Sequence, residues 1–243
     1  TNLSANDSNI PDSPTNNFCT LNILQDKSGS STFTEGNTKV VIPATSATGY
    51  GLGTFAVSSG KWYWEACYTA ANGDYLIVGV ASPDGTTFQR AVRGSDGELL
   101  PNTGTVAVSY TANDILQFAL DMDNSKWFIG KNGSWLISGD PVNGTGYVHN
   151  NLEGELTPMF WNATAGGTQT AVANFGQDSS FAGAKTAQGN VDQYGHGDFY
   201  YTPPSGYIAL CSDNLPEPTI SPLNDDQPSD HFNTVLYSGT GSS

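Results

Sequence analysis

The chain has 243 residues, 37% hydrophobic and 11% aromatic, with 28 glycines and 13 prolines. That is enough apolar material for one large β-domain or two small ones, and it excludes general disorder. Eight basic residues against 23 acidic ones give a formal charge of −15. This excludes an extended phosphate-binding surface, argues against docking on an anionic bilayer, and reads first as a device for solubility.

Turn-forming residues are abundant, and Leu/Ala/Glu/Lys stretches at helical spacing are absent, so short strands joined by many turns are expected. No apolar run in the sequence has the length of a membrane-spanning helix, and no signal-peptide pattern appears. Cys19, Cys67 and Cys211 are odd in number and far apart. They lack zinc-ligand or redox spacing, which argues against a disulfide framework but leaves one bridge open. A start at Thr1 without Met and the ending Ser238–Ser243 suggest a piece of a longer protein.

In chain order, residues 1–17 read as a polar arm. Strand-like pieces follow at Phe18–Leu24, Thr38–Ile42 and Gly53–Val57. Lys61–Tyr68 is aromatic-rich; in a strand, Trp62, Trp64 and Ala66 share one face, and Tyr63 and Glu65 the other. Tyr75–Ala81 is a nearly continuous apolar run, the pattern of a strand buried on both faces, and Gly79 within it marks a bulge or a close backbone approach. Residues 82–104, rich in Gly, Asp and Pro, read as a long loop, and Val106–Tyr110 as a strand. Asp114–Leu120 and Lys126–Ile129 flank a hairpin turn, and Asn132-Gly133 signals a second tight turn before a short strand at Trp135–Ile137. Residues 138–154 form a polar loop. Leu156–Trp161 and Thr170–Phe175 close the core. Residues 176–202 show no strand and read as a surface loop. Six prolines between Pro203 and Pro228 argue against regular ladders there, and Asn233–Tyr237 is a last, edge-like candidate. Ten to thirteen short strands at such spacing mean a sandwich or a barrel.

Three segments, in order, resemble the SPRY family. Gly60-Lys61-Trp62-Tyr63-Trp64-Glu65 leads to Ile77-Val78-Gly79-Val80-Ala81. Asp114-Ile115-Leu116 leads through Leu120-Asp121 and Trp127-Phe128-Ile129 to Asn132-Gly133. Leu156-Thr157-Pro158-Met159-Phe160-Trp161 leads to Ala173-Asn174-Phe175-Gly176. The resemblance covers roughly residues 55–180. It implies an all-β fold, a two-sheet antiparallel β-sandwich of the concanavalin-like jelly-roll kind, acting by binding through loops rather than by catalysis. On this reading residues 1–54 are an arm with the first strands, 55–183 the sandwich core, and 184–243 a long loop, Pro-rich tail and link. The flanks Asp12–Phe18, Pro203–Cys211, Asn214–Pro218 and His231–Gly239 resemble those around such domains in structural proteins of tailed phages. That implies a virion component, with other virion proteins, a symmetric oligomer or a host-surface glycan or protein as partners.

Chemistry-bearing residues are sparse. Asp121 and Asp123 are two apart and would share a strand face. Glycoside hydrolysis needs two carboxyls about 5–10 Å apart across a sugar cleft, but the Met122–Ser125 stretch reads as a turn that such residues cap. Glu153 and Glu155 flank Gly154 in another loop. The Asp121/Asp123/Ser125 spacing starts like a calcium-binding EF-hand loop, but Lys126 and Asn132 stand where Gly and Glu are needed. Weak calcium binding near Asp225-Asp226 stays open. His149, His196 and His231 are isolated, and no nucleophile elbow or phosphate loop appears. No catalytic residue, metal or cofactor is therefore expected. Trp62, Trp64 and Trp127 read as core. Contact candidates are Arg90 and Arg93, two arginines sharing one loop of an acidic chain, with Trp135 and Trp161 at loop borders and Tyr147 and His149 as amphipathic residues within the 138–154 loop. Asn132-Gly133-Ser134 and Asn162-Ala163-Thr164 are glycosylation sequons that matter only in a glycosylating pathway. The rival functions are a carbohydrate-binding or glycan-degrading cell-surface domain and an intracellular SPRY interaction module.

Overall fold

The computed structural model describes residues 13, 15–26, 30–44, 50–70, 76–86, 88–101, 104–162 and 167–216, together with residues 232, 239 and 241. Thr1–Asp213 forms one compact unit and Asn214–Ser243 a second. The described strands are β1 (Thr32–Thr34), β2 (Lys39–Ile42), β3 (Tyr50–Leu52), β4 (Lys61–Ala70), β5 (Leu76–Ala81), β6 (Phe88–Arg93), β7 (Glu98–Leu100) and β8 (Gly104–Thr105). They continue as β9 (Ile115–Asp121), β10 (Lys126–Lys131), β11 (Ser134–Trp135), β12 (His149–Asn150), β13 (Thr157–Asn162), β14 (Gln169–Asn174) and β15 (Ile208–Ala209). They make two sheets, ordered β1-β2-β14-β4-β9-β10-β11 and β3-β13-β5-β6-β7-β8. In the first sheet β12 also pairs with β10, and β15 runs parallel to β4 beside Trp62 and Tyr63. Every other described strand pair is antiparallel. The architecture is the expected all-β, two-sheet sandwich.

Alternation along β4 divides its side chains as the sequence implied. Trp62, Trp64 and Tyr68 point to the space between the sheets. There Trp64 stacks on Phe118 (5.3 Å between centroids), Phe118 on Trp127 (6.2 Å), and Trp127 on His149 (5.9 Å). This ladder of rings crosses four neighbouring strands and forms the dry heart of the fold. Tyr63, Glu65 and Cys67 point the other way, and they too are buried. The central strands of the second sheet, β5 and β13, are also buried on both faces. Gly51 faces Val40 of the first sheet, so its cross-strand neighbours Phe160 and Val78 point inward, while Leu52, Met159 and Ile77 belong to a small cluster on the far side. Gly79 makes the close approach expected of it: a Cβ there would lie 2.3 Å from the Arg90 carbonyl and 2.6 Å from the Ala91 Cβ.

The structure corrects several expectations. Residues 82–104 are not one loop; they carry β6, β7 and β8, which extend the second sheet. Their Gly, Asp and Pro residues are turns between short strands, and the two arginines disguised β6 as a polar segment. Val106–Tyr110 is not a strand: Tyr110 plugs the end of the sandwich, its hydroxyl donating to the Leu76 carbonyl (2.6 Å) and the Val92 carbonyl (3.0 Å). Phe18–Leu24 is reduced to bridges at Phe18 and Leu21 and a 3-10 turn at Ile23–Gln25. Gly53–Val57 has only bridges, its strand lying earlier, at Tyr50–Leu52. Trp135–Ile137 is split between β11 and a 3-10 turn at Leu136–Ser138. Residues 176–202 hold no strand, as expected, but they are not a surface loop: Phe181 and Phe199 are fully buried. Asn233–Tyr237 lies outside the described residues.

Candidate functional site

The contact candidates from the sequence do not converge on one site. Arg90 and Arg93 stand on β6 rather than in a loop. Arg90 donates to the carbonyls of Asn150 (3.3 Å) and Asn151 (3.2 Å), pinning β12 across the sandwich rim. Arg93 is paired with Asp96 and Glu98, each at 2.5 Å. His149 is buried; its Nε2 lies 3.1 Å from the Ala91 carbonyl, and loss of hydration lowers its pKa to about 4, so it is a neutral core residue near neutral pH. Trp161 stacks on Tyr50 at 5.8 Å on the far face of the second sheet. Trp135 packs against the cluster around Tyr63 and Phe128. Of the six, the structure brings Arg90, Tyr147 and His149 together around β12, with Tyr147 exposed, Arg90 half-buried and His149 buried.

The loop 136–148 was only partly anticipated. Its arms are tied by backbone bonds in both directions between Asp140 and Thr145, and by close contact of Gly139 with Gly146. Lys126 donates to the Gly144 carbonyl at 2.7 Å and lies 5.4 Å from the Tyr147 ring centroid, and the Tyr207 hydroxyl donates to the Pro141 carbonyl at 3.2 Å. On this braced scaffold Val142 is 52% exposed and Ile137 is 49% exposed. Ile137 also has a left-handed backbone, φ 48° and ψ 36°, an expensive conformation for a β-branched residue. No composition signal marks it. Apolar Leu136-Ile137 beside Gly139 looks like the tail of a strand.

The loop leads through β12 into residues 153–155. Glu153, Gly154 and Glu155, with Ser82, Pro83, Asp84 and Thr86, line an open cleft of about 410 Å³. Asp84 is held by Ser82 Oγ, Thr86 Oγ1 and the Thr86 N–H. No described lining residue is aromatic or basic. Six of the seven described cations are engaged. Lys61 pairs with Asp121 (3.1 Å), Lys131 with Asp114 (3.6 Å), Lys185 donates to the Asn113 carbonyl, and Arg90, Arg93 and Lys126 are bound as described. The face offered to a partner here is acidic with exposed apolar points.

The carboxylates weighed as catalysts have turn roles. Asp121 is buried, pairs with Lys61 and accepts from the Asn124 N–H (3.0 Å); Asp123 accepts from the Gly60 N–H (2.7 Å). Among the described residues no group of three or more His, Cys, Asp or Glu side chains is placed to hold a metal; Asp225-Asp226 lies outside them. Cys19, Cys67 and Cys211 form no disulfide, and burial raises the thiols of Cys19 and Cys67 to about 11. Asn132 is spent on its turn, accepting from the Ile115 N–H and donating to Asp114, and Asn162 is buried.

The residue the sequence underplayed is Glu65, fully buried on the far face of β4. Its Oε1 accepts from the Tyr201 N–H (2.7 Å) and the Tyr63 hydroxyl (2.8 Å), and its Oε2 from the Tyr200 N–H (2.8 Å) and Asn174 Nδ2 (3.4 Å). Its place directly after Trp62-Tyr63-Trp64 in a strand was the available signal.

No family model matches the sequence, and no curated protein matches it. The fold is similar to that of the SPRY domain of human HERC1, with TM-score 0.50 and 19% identity, over 63% of this chain and 96% of that one. A second solved structure, the TRIM65 PSpry domain, gives TM-score 0.48 and 13% identity, over 65% and 92% of the two chains.

Proposed function

We propose that this SPRY-like sandwich is a non-catalytic protein-interaction module that docks its partner on loop 136–148 and the neighbouring acidic cleft. The observation that carries the reading is the braced loop itself. It holds Ile137 and Val142 half-exposed, one at a conformational cost, beside a cleft lined by Asp84, Glu153 and Glu155. Exposed apolar anchors on a rigid support are the usual energetic centre of a protein contact. With Arg90 and Lys126 held on backbone carbonyls, the carboxylates of the cleft make a partner surface with basic groups around an apolar patch the complementary one. Recognition is by shape, hydrogen bonding and charge, with no bond made or broken. The absence of an aromatic ring among the described cleft residues favours this over sugar stacking.

The finer reading is that the parent protein is a virion component of a tailed phage, a tail fibre, appendage or capsid-surface protein, acting in assembly or host-surface recognition. The sequences flanking the sandwich support it. Immunogold electron microscopy with antibody to recombinant residues 13–216 tests it. Label on fibres or tail is expected for host recognition and label on the head for decoration; unlabelled particles would overturn the virion reading.

A further inference from the structure

Residues 177–211 cross the outer face of the first sheet as a strap. It is seated at several points. β15 adds beside β4, and Phe199 meets Tyr63 edge-on at 5.1 Å. The Asp198 N–H donates to the Gly176 carbonyl (2.9 Å), the Asp198 carbonyl accepts from Asn174 Nδ2 (2.8 Å), and Glu65 accepts from the Tyr200 and Tyr201 N–H groups. The strap in turn supports the approach to loop 136–148. The Tyr201 ring lies against Gly133, where a Cβ would come within 3.0 Å of it, and Trp135 packs on the cluster that holds Phe199 and Tyr207. Tyr207 is itself buried. Its N–H is bonded to the Pro204 carbonyl, and the Lys61 ammonium, paired with Asp121, lies 5.6 Å from its ring centroid.

The turn that carries Val142 is closed by the mutual backbone bonds of Asp140 and Thr145. Among the described residues, two side chains from outside bond to it, one on each arm. Lys126 of β10 reaches the Gly144 carbonyl on the returning arm, and Tyr207 of the strap reaches the Pro141 carbonyl, next to Val142, on the outgoing arm. The two ties differ in kind. An ammonium on a flexible four-carbon stem follows a carbonyl that moves, and Gly144 is only half-buried, so water can take its place. The Tyr207 hydroxyl stands on a ring fixed in the core, and Pro141 is buried, so its carbonyl is not easily rehydrated. We propose that Tyr207 is the positioning residue of the docking loop, the point through which the seated strap sets the arm that presents Val142. The functional side of this proposal rests on the docking reading above.

Hydrogen exchange on the intact chain tests the assignment. Tyr207→Phe keeps the buried ring and removes the hydroxyl. Protection at the Asp140 and Thr145 amides is expected to fall about tenfold, as for a buried carbonyl that loses its donor. Amides of Phe199, Ala209 and β9 should keep theirs. Lys126→Met should lower protection at Asp140 and Thr145 by less. Unchanged protection there, an equal fall in the strap and β9, or a larger fall with Lys126→Met would overturn the proposal. In the unsubstituted protein the Tyr207 hydroxyl proton should exchange slowly enough to be seen by NMR, and a fast-exchanging one overturns the tie. All of these are read on the free chain. They decide the positioning role separately from the docking reading, which holds or fails on capture at Val142 in the unsubstituted chain.

Discussion

The two faces of β4 solve the same burial problem with opposite chemistry. Toward the second sheet, Trp62, Trp64, Phe118 and Trp127 make a dry ring ladder whose stability is area removed from water and ring packing. Toward the strap, Tyr63, Glu65, Gln117 and Asn174 make a hydrogen-bonded layer capped by backbone N–H groups. The first face tolerates any filler of the right shape. The second depends on each donor and acceptor being present, because an unpaired buried polar group costs far more than a made bond gains. One strand therefore carries both the robust core and its most conditional contact.

The largest effect separating the faces should come from Glu65→Ala, which leaves the Tyr200 and Tyr201 N–H groups, the Tyr63 hydroxyl and the Asn174 amide without their acceptor. A loss of about 5 kcal/mol is expected in denaturant melts. Trp127→Ala should cost about 4 kcal/mol by cavity formation and leave the alkaline limb of the pH profile in place, any change falling on the acid limb of its neighbour His149. Equal pH profiles for the two variants would erase the distinction between the faces.

The pH profile sharpens the comparison next. The folded value of Glu65, about 7, lies above its ordinary 4.5, so its stabilisation is complete below pH 4.5 and is lost as pH rises through 7. His149, on the ladder side, has a folded value near 4, below its ordinary 6.5, so its stabilisation is complete above pH 6.5 and is lost as pH falls through 4. Each limb is worth about 3 kcal/mol, and the stability maximum should fall near pH 5.5. Glu65→Gln should remove the alkaline limb and His149→Phe the acid limb. The smallest effect expected is at the rim: Ile137→Gly relieves a left-handed β-branched residue and should raise stability by about 1 kcal/mol while weakening partner binding.

The dry half of the fold was legible because its signals are periodic. Trp62-Tyr63-Trp64, the apolar run Leu76–Ala81 and the hairpin around Asp121–Asn124 announce strands by aromatic content, apolar runs and turn residues, and all became buried strands or their turn. β6 to β8 were hidden because Arg90 and Arg93 spend their charge on neighbours the sequence does not reveal. The strap was hidden for a deeper reason: carboxylates and backbone amides far apart in the chain order it, and no local periodicity records them. At the candidate site, Tyr147 was found because an amphipathic ring in a polar loop is unusual, and Glu153 and Glu155 were noticed as an acid pair. Ile137 and Val142 were not singled out, since exposure depends on how loop 136–148 is braced. His149 was read as a contact residue but is held between Trp127 and the Ala91 carbonyl.

The proposed docking surface is loop 136–148 with the adjoining cleft. Site-specific photo-crosslinking in cells that make the full-length protein tests it most directly, with the photoreactive side chain at Val142 and, as a control, at Leu24, which is 88% exposed. The account predicts a discrete crosslinked protein from position 142, lost when Glu153 and Glu155 are reversed to lysine, and none from position 24. No adduct at 142, or the same adduct from both positions, would contradict it.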